Sequence, residues 1–439
     1  MTDLGAAPPS RDPVLRPSPN PRPKLSQELR VLRDPNVARL VFSRLVSDLG
    51  AGIGPIALAF GVLGLPGGGP SALGLVLFCA ALPNVVFLLF AGVLADRGNR
   101  ARILVVAELG MAIAQGVAAV LFISDRASVP ALAALAALGG TASALFYPAH
   151  TGLIPQVVRP EQLQSTNALI RLSSNLARVG GVALGGILVA TIGSGWALGL
   201  NASTYGISAL LLIGIVVAGT VPVAATSSVL GELAHGWREF TSRRWVWLIV
   251  VVFSVSNVGF GAAVGVLGPV VALDSWNGAQ SWALIMAAFS LGTVTGVVFA
   301  MRIRPKRPLR VAMLAVPLLA LPIAGLIPPL SVLAIAVASF LAGLAIDIFE
   351  VLWQTTLQQH IPQESLSRVS AYDMFGSLVF TPLGLAAAGP AIEAWGTRTT
   401  AIICAALVSL ALLALLDPQI RSLRAVDPAN PLGPPATAH

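Results

Sequence analysis

Long apolar runs, separated by short polar stretches, fill the chain from residue 37 to residue 416. A helix needs about 20 apolar residues to cross a bilayer. By that measure the runs predict twelve spans, at 37–62, 71–95, 103–124, 128–150, 167–191, 198–220, 245–272, 280–301, 309–327, 331–354, 371–394 and 398–416. Spans 9 and 10 are divided only by the stretch from Pro322 to Pro329. Residues 1–36 are rich in Pro and Arg without an apolar core, which predicts a disordered tail with no secretory signal. The expected organisation is this tail, a six-helix half over 37–220, a linker over 221–244, a second six-helix half over 245–416, and a tail over 417–439. Within the linker, Leu230, Leu233, Trp237 and Phe240 fall on one helical face, with Glu232, Arg238 and Glu239 off it. That pattern reads as an amphipathic helix on the membrane surface, against a floppy linker as the plainer alternative.

Composition excludes a soluble protein. Hydrophobic residues make up 56% and charged residues 10%, with mean hydropathy +0.83, whereas soluble domains carry about 25% charged residues. The net charge of +8 does not point to nucleic acid, because the basic residues sit in short loops between apolar runs. With the N-terminus inside, the outer loops hold Arg126 and Arg398. The inner side holds the tail arginines, Arg97, Arg100, Arg102, Arg159, Arg238, Arg243, Arg244, Arg302, Arg304, Lys306, Arg307, Arg310, Arg368, Arg421 and Arg424. The asymmetry predicts a multi-pass plasma-membrane protein with cytoplasmic N- and C-termini. Cys79 and Cys404 lie inside apolar runs and read as small buried residues. His150, His235, His360 and His439 lack metal-ligand spacing. No phosphate-binding glycine loop is present. The expectation is a protein that is not an enzyme and takes no cofactor or metal.

The two halves repeat. Leu163, Gly181, Gly186 and Gly193 match Leu366, Gly384, Gly389 and Gly396 at a constant offset of 203, and Gly92 with Arg100 matches Gly296 with Arg304 at 204. Six helices followed by six of the same topology form a parallel repeat about an axis along the membrane normal. That arrangement places a cavity between the halves near the midplane.

The densest charge in the apolar region is Gly92 to Arg102, a tight turn between spans 2 and 3. Gly92 lets helices approach closely. Asp96 is expected at the start of span 3, where a carboxylate suits the helix dipole. This stretch resembles the signature loop of the major facilitator superfamily, Gly-x-x-x-Asp-Arg-x-Gly-Arg-Arg, through Gly92, Asp96, Arg97 and Arg100, and is one residue tighter. The second-half copy keeps Gly296, Arg304, Lys306 and Arg307 but has Ala300 in the Asp position. Span 5 resembles the antiporter motif ending Gly-Pro-x-x-Gly-Gly: Gly181, Gly185 and Gly186 match, with Val182 for the proline and Ala177 for an earlier glycine. The pattern of 150–205 and 354–396 most resembles the drug-exporter branch that includes macrolide and enterobactin exporters. The resemblance implies an all-α fold of twelve transmembrane helices in two pseudo-symmetric halves. It also implies a gating loop that locks against span 11 when the protein is open outward, with Asp373 as partner of the loop arginines. The alternative is that these charges serve topology alone.

Ionisable residues inside a membrane are expensive, so each needs a partner or a function. Asp48 lies about eleven residues into span 1, roughly 16 Å deep at about 1.5 Å per residue. Arg44 is one turn below it, and Arg178 is similarly deep in span 5. Glu108 lies in span 3, and Asp347 and Glu350 lie in span 10. Desolvation favours a neutral acid and a neighbouring cation favours the carboxylate. Asp48 therefore reads as a proton-coupling residue with Arg44 or Arg178 as alternating partner and Glu108 next in line. The other reading is a permanent ion pair joining spans 1 and 5. Candidates for an apolar cavity wall are Phe87, Phe146, Tyr147, Asn257, Phe260, Phe349 and Trp353, each of which also reads as helix packing. An apolar cavity with a few aromatics suits a small amphiphilic substrate better than a sugar. The expected function is proton-coupled antiport that exports drugs or secondary metabolites, with the lipid bilayer as surroundings and a monomer as the unit. An importer or lipid-flipping member of the same fold, or a receptor that moves nothing, remain as alternatives.

Overall fold

The computed structural model describes residues 29–159, 162–215 and 236–425. The elements among them are helices. Helix α1 (Pro35–Leu63) starts where Asp34 Oδ1 accepts from the backbone N–H of Asn36 at 2.9 Å and where proline occupies the first turn. Both features satisfy or remove orphan donors at a helix start. Helices α2 (Pro70–Arg97), α3 (Arg100–Ile123) and α4 (Val129–Val157) follow. The turn between α2 and α3 is capped by Asn99, whose side chain accepts from Arg102 N at 3.1 Å. Asp96 belongs instead to the last turn of α2. The helix runs on through Arg97, so the carboxylate does not open span 3 and the shorter amide at position 99 takes the cap.

The next helical stretch, Leu163–Ile213, has 51 residues. A continuous helix of that length would reach about 75 Å, against a hydrocarbon core of about 30 Å, so it must turn back. It does so at Gly193, with φ 86 and ψ 165, which divides it into α5 (163–192) and α6 (194–213). The second half repeats the device: Gly396 has φ 78 and ψ 165 inside a second long helix. These glycines match at the offset of 203, so equivalent backbone breaks stand at equivalent places in both halves. The second half carries α7 (Arg244–Ser275), α8 (Ala279–Ala300), α9 (Pro308–Ala324), α10 (Val332–His360), α11 (363–395, interrupted at Val379 and Phe380) and α12 (397–416). Helix α7 contains a π turn over Ala263–Leu267. Nine helices among the described residues are long and apolar enough to cross a membrane, and Pro308–Ala324 is a shorter apolar one. With the two longest divided at their glycines, the fold accommodates the twelve expected crossings.

Most of the linker, with Leu230 and Leu233, lies outside the described residues, as do the ends of both tails. Its described part, residues 236–241, is helical. Phe240 is buried, and Trp237 stands 5.7 Å from the Phe240 ring and 5.5 Å from that of Tyr372 on α11.

Helices pack through glycine. Gly181 on α5 lies against the Leu49 carbonyl of α1, and its counterpart Gly384 on α11 lies against the Val258 carbonyl of α7. A second matched pair joins the halves. Gly186 on α5 meets Ala279 and Ala283 on α8, and Gly389 on α11 meets Pro70 and Ser71 on α2. Beside this contact, Glu393 Oε1 accepts from Ser71 N at 3.1 Å. Together these contacts seal one end of the interface between halves.

The backbone at Gly193 and Gly396 lies in a region open essentially to glycine alone, where another residue costs about 1–3 kcal/mol. Gly193→Ala and Gly396→Ala should each lower the melting temperature of the solubilised protein. Gly206→Ala, where a methyl group meets nothing within 4 Å, should not.

Candidate functional site

Asp48 is the centre of a buried polar cluster. Its carboxylate is 2% exposed and faces two guanidiniums. Arg44 Nε on α1 lies 2.6 Å from Oδ2, and Arg178 Nη2 on α5 lies 3.3 Å from Oδ1. Arg44 stands one turn from Asp48 on the same face, the i, i+4 relation of neighbouring side chains. Arg178 reaches Asp48 because Gly52 and Gly181 bring the backbones of α1 and α5 into contact.

The two arginines differ in setting. The Arg44 side chain is 19% exposed and that of Arg178 is 56% exposed. Arg44 is held further: its guanidinium lies 4.8 Å over the Phe146 ring, its Nε stands 3.4 Å from Ser174 Oγ, and Phe146 stacks on His150 at 5.5 Å. Arg178 is therefore the less confined of the two partners. Phe146 serves as the platform beneath Arg44.

Glu108 on α3 is fully buried and has a different environment. Ser208 Oγ of α6 donates to its Oε1 at 2.8 Å, Ser47 of α1 stands beside it, and Oε2 has no hydrogen-bond partner. It forms no ion pair among the described residues. Sequence reasoning missed the hydroxyl and amide groups around these acids. The signal was present: Asn201, Thr204, Tyr205 and Ser208 recur at steps of three and four, a polar stripe on one face of an otherwise apolar span.

A cavity of about 460 Å³ adjoins the cluster. It lies mainly within the first half, between α1, α2, α3, α4 and α6, and α11 completes it with Leu378, Thr381 and Leu385. Tyr205, buried near both Glu108 and Asp48, forms part of its wall. Leu77 and Leu385, which line the cavity, also pack on Gly265 of the π turn.

The seven wall candidates fall elsewhere. Phe87 and Tyr147 are exposed. Asn257 Nδ2 donates to the Ser377 carbonyl at 2.9 Å. Phe260 lines a much smaller cavity of about 20 Å³ among α7 to α10. Phe349 stacks on Phe253 at 4.1 Å. Trp353 Nε1 donates to Asp373 Oδ2 at 2.9 Å. None of the seven, Phe146 included, lines the large cavity. Its wall is built mainly from small residues, aliphatics and amides, with Tyr205 as its one aromatic residue.

In the loop expected to act as a gate, Gly92 and the side chains of Asp96 and Arg97 lie outside what the structure describes of side-chain surroundings. Arg100 Nη1 donates to the Gly152 carbonyl at 2.7 Å, fastening α3 to α4. Asp373 is engaged by Trp353 as above. Of the helix-packing glycines, Gly185 lies against Ile53 of α1, between the contacts of Gly181 and Gly186. Asp347 lies against Gly296 of α8, and Glu350 Oε1 accepts from Gln354 at 3.0 Å.

The sequence matches the family model described as Major Facilitator Superfamily over residues 40–384. The multidrug efflux pump Tap of Mycobacterium tuberculosis is 28% identical over 418 residues, covering 90% of this chain and 97% of that one. The enterobactin exporter EntS of Citrobacter koseri is 28% identical over 298 residues, covering 65% and 68%. These relatives match the drug-exporter branch. The fold resembles a bacterial homologue of the iron transporter ferroportin in an inward-facing state, with TM-score 0.70, 15% identity and coverage of 91% and 100%. It also resembles the nucleoside transporter NupG, with TM-score 0.68, 13% identity and coverage of 87% and 98%.

Removing one partner of a buried ion pair strands the other and costs about 3–5 kcal/mol. Asp48→Ala strands two guanidiniums and should lower the melting temperature of the purified protein most. Arg44→Ala should follow, and Arg178→Ala, which removes a half-exposed side chain, should cost least. The three melting curves check that order.

Proposed function

The chain belongs to the Major Facilitator Superfamily, and from that premise we propose that it exports small amphiphilic molecules in exchange for protons. It is a multi-pass membrane transporter of a small-molecule substrate. Export is supported by the two relatives whose names are those of an efflux pump and an exporter. The observation that carries proton coupling is the single carboxylate of Asp48 held between a fixed and an exposed guanidinium. When Asp48 takes a proton its attraction for Arg178 falls, which loosens α1 from α5 at the level of the cavity. When the proton leaves, the pair re-forms. Glu108, which has hydroxyl neighbours and no ion pair among the described residues, is the second proton site beside the same wall.

The asymmetry of the basic loops supports cytoplasmic termini, with six-helix halves proposed over 37–220 and 245–416 and a linker over 221–244. With that orientation, the seal at Gly186 and Gly389 lies on the outer side, and the state described here is closed outward. The loop following Gly92 then locks against α11 in the opposite state, in which Asp373 exchanges Trp353 for an arginine of the loop.

Inverted membrane vesicles with an inside-acid gradient and a pH-sensitive dye test this reading. A panel of macrolides, dyes and siderophores should include a compound that dissipates the gradient with the wild-type protein. Asp48→Asn should abolish that response while the protein remains in the membrane at its normal level. Equal dissipation by both proteins would rule Asp48 out as the coupling site and pass the role to Glu108, for which Glu108→Gln is the corresponding variant.

A further inference from the structure

Helix α2 begins without a cap of its own. Gly69 at the N-cap has no side chain, and Pro70 after it has no N–H to donate. The first backbone donor left over is that of Ser71, an orphan of the kind every helix start exposes. Its acceptor comes from the other half of the molecule: Glu393 Oε1 on α11, at 3.1 Å. A carboxylate at this place also suits the positive end of the helix dipole.

Gly389 makes the approach possible. It stands one turn before Glu393 on α11, and a Cβ there would run into the Ser71 Cα and the Pro70 carbonyl. One turn further into α2, Gly74 lies against the Leu385 carbonyl of α11. The repeat supplies a comparison within the chain. On α5 the matched glycine, Gly186, packs on the start of α8 at Ala279 and Gln280. The position that matches Glu393 at the offset of 203, however, is Ala190. The packing is built twice and the carboxylate once, so the seal does not need a carboxylate in order to pack. Glu393 is exposed, and water takes over both partners when the helices part, which makes the bond weak and reversible.

We infer that Glu393 is a gating residue: by capping α2 across the interface it holds the halves together on the outer side, and it releases α2 when the cavity opens outward. The inference rests on the alternating-access reading above and goes beyond its coupling site. Asp373 lies near the inner end of the same helix, so α11 carries a carboxylate towards each membrane surface. Rocking that parts the outer ends brings the inner ends together, and the two acids act in opposite states.

The test is the distance between spin labels on the outer side of the two halves, with the protein in lipid nanodiscs. The labels sit at Arg126→Cys, between α3 and α4, and Leu330→Cys, between α9 and α10, both at exposed positions. Cys79→Ala and Cys404→Ala remove the other thiols. Glu393→Ala should raise the ratio of outward-open to outward-closed molecules about fivefold, the order expected for one hydrogen bond. Ser71→Ala keeps the backbone N–H and removes only an Oγ that is buried without a hydrogen-bond partner, so it should leave the ratio unchanged. An unchanged ratio in Glu393→Ala, with or without a lower melting temperature, would overturn the assignment, and so would an equal shift in Ser71→Ala. The expected shift without gradient dissipation by the wild-type protein in vesicles would keep the gating role and remove the proton-exchange reading instead.

Discussion

Lipid tails are as apolar as leucine side chains, so helices in a bilayer are held by close packing more than by burial from water. In this chain glycine provides that packing, at matched places in both halves. Gly181 sets α5 on α1 and Gly384 sets α11 on α7, each against a backbone carbonyl. Five residues further on, Gly186 and Gly389 face the other half and form the seal between them. A single small-residue pattern therefore does two jobs along one helix: it fastens the helix within its own half, then joins it to the opposite one.

The polar cluster depends on the same approach. Arg178 meets Asp48 across a boundary where no side chain separates the two backbones. The cluster then divides between two kinds of acid. Asp48 pairs with two arginines, whereas Glu108 has hydroxyl neighbours and no ion pair among the described residues. Both border the wall shared with the cavity, through Tyr205. Cavity and cluster thus meet at one side chain.

Much of this was legible in the sequence because it depends on one helix at a time. Run length gave the spans, and the offset of 203 marked Gly193 and Gly396, whose shared backbone geometry reverses the chain. Counting depth along spans 1 and 5 placed Asp48 level with Arg178, and the structure brings them within 3.3 Å. Helix ends were less legible. Span 4 continues to Val157 through Pro148 and Pro155, because neighbouring helices re-satisfy groups that proline frees. The cavity was the least legible part. Its position follows from gaps between helices, and gaps are lined by residues such as Ala51, Gly54 and Gly140 that leave little mark in a hydropathy pattern. Aromatic residues, the more visible choice, fill the contacts instead, as Phe349 does against Phe253.

The π turn in α7 sits against Leu77 and Leu385, where the seal meets the cavity. A turn of that kind is an α-helix with one residue inserted, so the helix on its far side is rotated relative to the near side. The insertion need not stay where it is. Were it to pass along by a turn, the last third of α7 would rotate about the helix axis, with hydrogen bonds exchanged one at a time. Gly268, whose neighbour in space is the ring of Trp282 on α8, lies on the part that would turn. The helix thus carries a length of slack, stored as a register defect, beside the contact between the two halves.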